Sequence, residues 1–302
     1  MYVGSIGLRS FKLINLFLCI DLEVKYPYRD YQNLSDYGVL MHGKNLYMET
    51  SDGVRLGFWH ILPKSISQKL QNNPTDEQFS NAISIPGYSV VIYLHGNAMD
   101  RTTVHRIQLY NILSELDFHV IAVDYRGYGD SGGIPTETGL VEDTKTAFMY
   151  AQKFIQNGSL FLWGHSMGTG VATTSAVVLE DLKYRLSGVV LEAPFNNLRD
   201  VAYNHPFAKP FRWIPQFDNI FVKPMQSFGL KMSSDFWIKR INCPILILHA
   251  ADDDIIPVKL GRLLRDAAVS SGRDVKYVEF DSVRHFQHKH IHLAKELSGI
   301  FM

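Results

Sequence analysis

Short, continuously apolar blocks alternate with longer stretches of helical period along most of this chain. Val90-Val91-Ile92-Tyr93-Leu94, His119-Val120-Ile121-Ala122-Val123, Ser159-Leu160-Phe161-Leu162-Trp163, Gly188-Val189-Val190-Leu191, residues 245–248 and residues 275–280 read as strands. Residues 104–116, 140–155, the small-residue stretch from Thr169 to Thr174, 260–268 and a last segment from about Ile291 read as helices. Two introductory strands are expected at 46–49 and 54–62, and residues 63–88, crowded with Ser, Gln, Asn and Pro, read as a surface loop. Strands that are apolar throughout, rather than alternating, are buried on both faces. The pattern therefore predicts an α/β domain with a mostly parallel central sheet flanked by helices. No internal repeat interrupts it.

One stretch breaks the alternation. Between residues 195 and 240 lie Phe195, Phe207, Phe211, Trp213, Phe217, Phe221, Phe228, Phe236 and Trp237, mixed with Pro206, Pro210, Pro215 and Pro224. Prolines at this density exclude one long helix. The expectation is an aromatic-rich cap insertion over the C-terminal edge of the sheet, where open sheets of this class bind ligands. The plain alternative is a satellite hydrophobic cluster under a long loop.

At the N-terminus, Leu13-Ile14-Asn15-Leu16-Phe17-Leu18-Cys19-Ile20 is apolar but far shorter than the ~20 residues of a membrane span, and Asp21 and Glu23 end it. Arg9 and Lys12 precede it as in a signal sequence, yet no small-x-small cleavage site follows. A packed or membrane-surface helix is the expectation, with no complete transmembrane helix in the chain. Residues 1–44 are thus read as an N-terminal segment and 45–302 as one catalytic-size domain.

Composition changes this picture little. Thirty Lys and Arg against thirty Asp and Glu leave no net field to attract nucleic acid, and no basic run interleaved with aromatics is present. No nucleic-acid partner and no obligate protein partner are expected. The two cysteines, Cys19 and Cys243, do not specify a redox compartment. Asn33-Leu34-Ser35 and Asn157-Gly158-Ser159 are glycosylation sequons that matter only in a secretory setting.

The chemistry centres on Gly164-His165-Ser166-Met167-Gly168, which joins a predicted strand to a small-residue helix. This is a nucleophile elbow: the tight turn leaves no room for Cβ atoms at its flanks and presents the serine at a helix N-terminus, where developing negative charge is favoured. It implies a serine hydrolase. Such a serine needs an oxyanion hole, and the backbone N–H of Asn97, in His95-Gly96-Asn97-Ala98 after the first central strand, can pair with that of Met167.

A carboxylate and a base must follow in that order. Asp252, Asp253 and Asp254 compete after the strand at 245–248. In hydrolases of this fold the loop commonly reads Gly-x-x-Asp-x-x-(Val/Ile)-Pro, and laying that on residues 250–257 selects Asp253. Asp124 and Glu192 also end strands but adjoin the wrong loops. Downstream, His285, His288, His290 and His292 all qualify as the base. The spacing of His288 and His292 also suits a metal, but no cysteine or carboxylate ligand accompanies them, so no metal and no cofactor are expected. His95 and His165 are read as loop-orienting residues and His249 as strand-end packing.

His95-Gly96-Asn97-Ala98, the run from Asp124 to Ser131, the elbow, Glu192-Ala193-Pro194-Phe195-Asn196-Asn197, His205-Pro206-Phe207 and His288-Lys289-His290-Ile291 together resemble the abhydrolase-domain lysophosphatidylserine lipase and monoacylglycerol lipase family, member twelve. The resemblance runs from about Val54 to the C-terminus and implies an α/β-hydrolase fold. It also implies that the catalytic histidine is the one before the lysine, His288, with His285 as runner-up. It further implies hydrolysis of the acyl ester of lysophosphatidylserine or monoacylglycerol through an acyl-enzyme, at the endoplasmic reticulum membrane. Family members carry a membrane-spanning helix ahead of the catalytic domain, for which this chain has only the short apolar segment. Arg126, Arg199, Lys209 and Arg212 are the cations available near the expected mouth for a headgroup. Acyl-protein thioesterase activity, or lipid binding without turnover, are the alternatives.

Overall fold

The computed structural model describes residues 29–155, 157–204, 213, 215–223 and 231–301. The apolar segment at 13–20, His205-Pro206-Phe207, Lys209, Phe211, Arg212 and Phe228 lie outside the described residues.

Eight strands form one sheet: β1 (Gly43–Glu49), β2 (Arg55–Ile61), β3 (Ser89–Leu94), β4 (Phe118–Val123), β5 (Leu160–His165), β6 (Gly188–Glu192), β7 (Ile245–Ala250) and β8 (Val275–Phe280). Their order across the sheet is β1-β2-β4-β3-β5-β6-β7-β8. β2 runs antiparallel to β1 and β4, and every other pairing is parallel. The described helices are α1 (Lys64–Ser67), α2 (Asp76–Ile83), α3 (Val104–Glu115), α4 (Glu137–Gln152), α5 (Met167–Asp181), α6 (Leu198–Asn204), α7 (Ser234–Trp237), α8 (Val258–Ser270) and α9 (Leu297–Phe301).

Residues α4, α5 and α8 contribute, among them Leu140, Phe148, Val171, Ala176, Leu260 and Leu264, cover one face of the sheet. Ile107, Tyr110 and Leu113 of α3, with Ile291 and Leu297 from the C-terminal segment, cover the other. Strands β3 and β6 are buried from end to end or nearly so, which is why their sequences are unbroken apolar runs. This is the α/β-hydrolase arrangement.

Two elements differ from the sequence reading. The expected loop at 63–88 contains α1 and α2, the latter started by a capping box in which Thr75 accepts from the Gln78 N–H and Gln78 reaches back to the Thr75 N–H. Phe79 and Ala82 then bury against Leu62 and Ile66, a small cluster that the polar composition concealed. The last helix from Ile291 is interrupted: a 3-10 turn at Ile291–Leu293 is followed by extended backbone at Ala294 and by α9. In the segment assigned to 1–44, residues Tyr31, Leu34 and Val39 are buried in the core on the α3 face of the sheet. In the region expected to form the cap, Phe195, Met232 and Ile238 also join the main core, whereas Trp213 and Phe236 are exposed.

At the end of the sheet opposite the elbow, His60 Nε2 lies 3.0 Å from His119 Nδ1, and His60 Nδ1 lies 2.9 Å from the Tyr150 hydroxyl. Burial pushes His119 down to about 4 and His60 well below its ordinary value. Both imidazoles are neutral in the folded chain, where one ring donates to the other. The unfolded chain binds their protons below about pH 6.5, so stability is complete above that pH and falls as pH drops toward 4. His119 alone accounts for about 3 kcal/mol over that window. Urea unfolding of wild type and His119→Asn between pH 7.5 and 4 measures it: wild type is expected to lose stability more steeply, and parallel curves would contradict the assignment.

Candidate active site

The loops that follow β3, β5, β7 and β8 meet at the C-terminal edge of the sheet. Ser166 is the N-cap of α5 with φ of 54° and ψ of −119°, a left-handed conformation that an L residue adopts only when its surroundings impose it. Here the imposing contacts are visible. The Ser166 N–H donates to the Glu192 carbonyl at 2.9 Å, and a Cβ on Gly164 or Gly168 would overlap the Gly168 or Leu94 carbonyl, respectively.

The loop after β3 runs beside this serine. A Cβ built on Gly96 would lie 3.1 Å from Ser166 Cβ, so the chain at Gly96 passes close against the elbow serine. Ala98 and Met99 both have positive φ. Buried Arg106 of α3 holds this loop from below, donating to the carbonyls of Asp100 at 2.7 Å, Ala98 at 2.9 Å and Gly96 at 3.4 Å. His95 contributes a further bond from Nδ1 to the Gly96 carbonyl at 2.7 Å, and burial keeps its ring neutral. Above the loop, the Tyr128 hydroxyl donates to Asn97 Oδ1 at 3.1 Å and lies 4.0 Å from Met167 Sδ. One phenol therefore touches both residues expected to supply the oxyanion hole.

Of the three adjacent aspartates, Asp253 is the one directed inward. Its Oδ1 accepts the N–H groups of Ile255 at 2.9 Å and Ile256 at 2.7 Å, and its Oδ2 lies 2.8 Å from His288 Nδ1 and 3.3 Å from His249 Nε2. Burial works to raise this carboxyl, but the His288 and His249 imidazoles outweigh burial and hold it well below the usual carboxylate range. Asp252 instead accepts the Gln287 N–H at 3.2 Å, and Asp254 is exposed. Among the four downstream histidines, His288 is buried and bonded to Asp253, while His285 is exposed at the end of a 3-10 turn with φ of 53°. His292 turns its Nδ1 to the Lys289 carbonyl at 3.1 Å. Among the described residues no group of three or more His, Cys, Asp or Glu is arranged to hold a metal ion.

His165 supports the histidine from beneath. Its Nε2 donates to the His288 carbonyl at 2.9 Å, and burial together with nearby His288 pushes its ring down to about 3. A carbonyl only accepts, so the proton of this neutral ring is on Nε2.

The serine aminopeptidase S33 family of hydrolases matches residues 88–226, which include the elbow and the loop after β3. Over 92% of the chain, the sequence is 36% identical to the lysophosphatidylserine lipase ABHD12 of Danio rerio and 38% identical to that of Mus musculus, covering 73% and 70% of those proteins. The chain belongs to the ABHD12 family. Similar solved structures include an α/β hydrolase from Vibrio vulnificus, with a TM-score of 0.68 at 19% identity over 97% of this chain and 92% of that one. The Pyrococcus furiosus esterase Pf2001 is similar at a TM-score of 0.64 and 19% identity, over 93% of this chain and 97% of that one. They share the hydrolase fold.

Two of the four cations expected near the mouth of this ABHD12-family site are already paired. Arg126 bridges Asp143 and Asp52, each at 2.8 Å, and Arg199 lies 2.9 Å from Asp218. A guanidinium held between two carboxylates is a structural strut rather than a free anion receptor. Sequence reasoning missed Arg106, Tyr128 and the contact of His249 with Asp253. The first two are ordinary helix and loop residues locally, and only the fold brings them to the loop at 96–98.

Proposed function

We propose that the protein is a serine lipase that hydrolyses the acyl ester of lysophosphatidylserine or a similar single-chain glycerolipid. The observation that carries the reading is the His288–Asp253 pair at 2.8 Å, tied to the elbow through the His165 bond to the His288 carbonyl, in a chain whose relatives are named lysophosphatidylserine lipases. With Nδ1–H donated to Asp253, the His288 Nε2 lone pair is free to take the Ser166 proton as Oγ attacks the ester carbonyl. Asp253 stabilises the resulting imidazolium, and the Asn97 and Met167 N–H groups receive the tetrahedral oxyanion, at about 3 to 4 kcal/mol per donor. His288 then protonates the departing glycerol oxygen. Water repeats the steps on the acyl-enzyme and releases a fatty acid, with no cofactor or metal required.

The exposed Trp213 and Phe236 support contact with a membrane surface, from which an amphipathic lipid reaches Ser166. Among the described residues no helix is long and apolar enough to cross a membrane. Residence at the endoplasmic reticulum membrane is proposed from the family alone. A hydrolysis panel of lysophosphatidylserine, monoacylglycerol and an S-acylated protein tests the substrate class. The highest kcat/KM is expected on one of the two glycerolipids, and turnover of the thioester alone would replace this reading with that of a thioesterase.

A further inference from the structure

Five acidic residues are buried among the described residues: Asp100, Asp124, Asp143, Glu192 and Asp253. Four have a cationic or imidazole partner, namely Arg29, Arg101, Arg126 and His288, respectively. Glu192 has none: its Oε2 accepts only the Trp163 indole N–H, at 2.8 Å. A buried carboxyl without a cation is costly to ionise, so a purely structural site would be expected to supply one or to dispense with the acid.

Its location bears on the active site. Glu192 ends β6, between β5, which carries the elbow, and β7, which leads to Asp253. Its carbonyl holds the Ser166 N–H at 2.9 Å, and it pairs in register with His165. The titratable groups that interact with it through space are Tyr93 from β3, Asp253 from the loop after β7 and His288 from the segment after β8, and His165 of β5 is its register partner. No lysine or arginine forms an ion pair with it among the described residues.

Resting on the hydrolase reading above, we infer that Glu192 is a positioning residue whose ionisation adds a second negative charge near His288 and so strengthens it as the base toward Ser166. When His288 takes the serine proton, the new positive charge is stabilised by Asp253 through its hydrogen bond and by ionised Glu192 through space. The neutral acid gives no such help. Burial raises the Glu192 carboxyl to about 7, against the lowering effects of the Trp163 bond and His288, so the change falls at neutral pH.

Glu192→Gln keeps an acceptor for Trp163 and removes the charge. It is expected to leave KM unchanged, match wild-type kcat at pH 6, fall about tenfold below it at pH 8, and show one ionisation step fewer in its pH profile. An equal loss at both pH values, or an unchanged profile, would overturn the inference in favour of a packing role. A second readout needs no turnover: Trp163 emission in wild type is expected to titrate near neutral pH, and that step to vanish in Glu192→Gln. If the step is present but no ester is hydrolysed, the lipase reading fails while the ionisation stands; if the step is absent, the inference itself fails. Should Glu192→Gln not fold, Glu192→Asp decides: a displaced step supports the inference and an unmoved one overturns it.

Discussion

Replacing Ser166 by alanine is expected to abolish covalent labelling by a fluorophosphonate probe and to lower ester hydrolysis by about 10⁴-fold or more. The reason is the division of labour at the elbow. In the proposed mechanism, attack by Oγ forms the covalent bond between protein and substrate. The turn itself is held by backbone: the Ser166 N–H to Glu192, the Thr169 N–H to the Ser166 carbonyl, and the close approach of Gly168 to Leu94. Removing a half-buried hydroxyl leaves those contacts intact, so the melting temperature should stay close to that of wild type. Residual hydrolysis above the solvent rate should persist, because the amides expected to form the oxyanion hole still polarise the ester. Labelling of Ser166→Ala at the wild-type rate would remove the serine-hydrolase mechanism.

His288→Ala should approach the same loss, whereas His285→Ala should cost no more than about tenfold. His288 is buried, bonded through Nδ1 to Asp253, and carried by a backbone carbonyl that accepts from His165. Without it, Ser166 has no base and Asp253 becomes a buried carboxylate that has lost its main partner. His285 is exposed, and its left-handed backbone helps the chain turn toward His288. Alanine tolerates that conformation less well than asparagine or glycine, so a modest loss through positioning is expected. Steady-state kinetics on the preferred lipid check the ordering, and equal residual activity in the two variants would refute it.

Local signals carried much of the site. Glycines at both flanks of Ser166 are legible because a strand-to-helix turn this tight excludes Cβ, and the structure shows the carbonyls they avoid. The Asp-x-x-Ile-Pro spacing picked out Asp253, and the resemblance picked out His288; these are the two residues found bonded. Less legible were contacts made across long separations. Arg106 reaches the loop at 96–100 from inside α3, Tyr128 crosses to Asn97, and His165 meets the carbonyl of a residue 123 positions away. Each looks locally like an ordinary helix, turn or elbow residue. The opposite error arose at 63–88, where polar composition concealed a capped helix whose Phe79 is buried.

The sequence by itself determined the order of the eight strands, the two-faced burial of the sheet and the serine at its elbow, because these depend on periodicity and on sterics within a few residues. Tertiary structure alone decided which charges are spent and which are available. Arg126 and Arg199 are consumed by carboxylates brought from elsewhere, while Asp253 is pinned by two imidazoles and two amides. Among the described residues, Glu192 forms no ion pair and accepts from the Trp163 indole N–H. Pairing and burial depend on distances between segments far apart in the chain, and those distances exist only once the sheet has assembled.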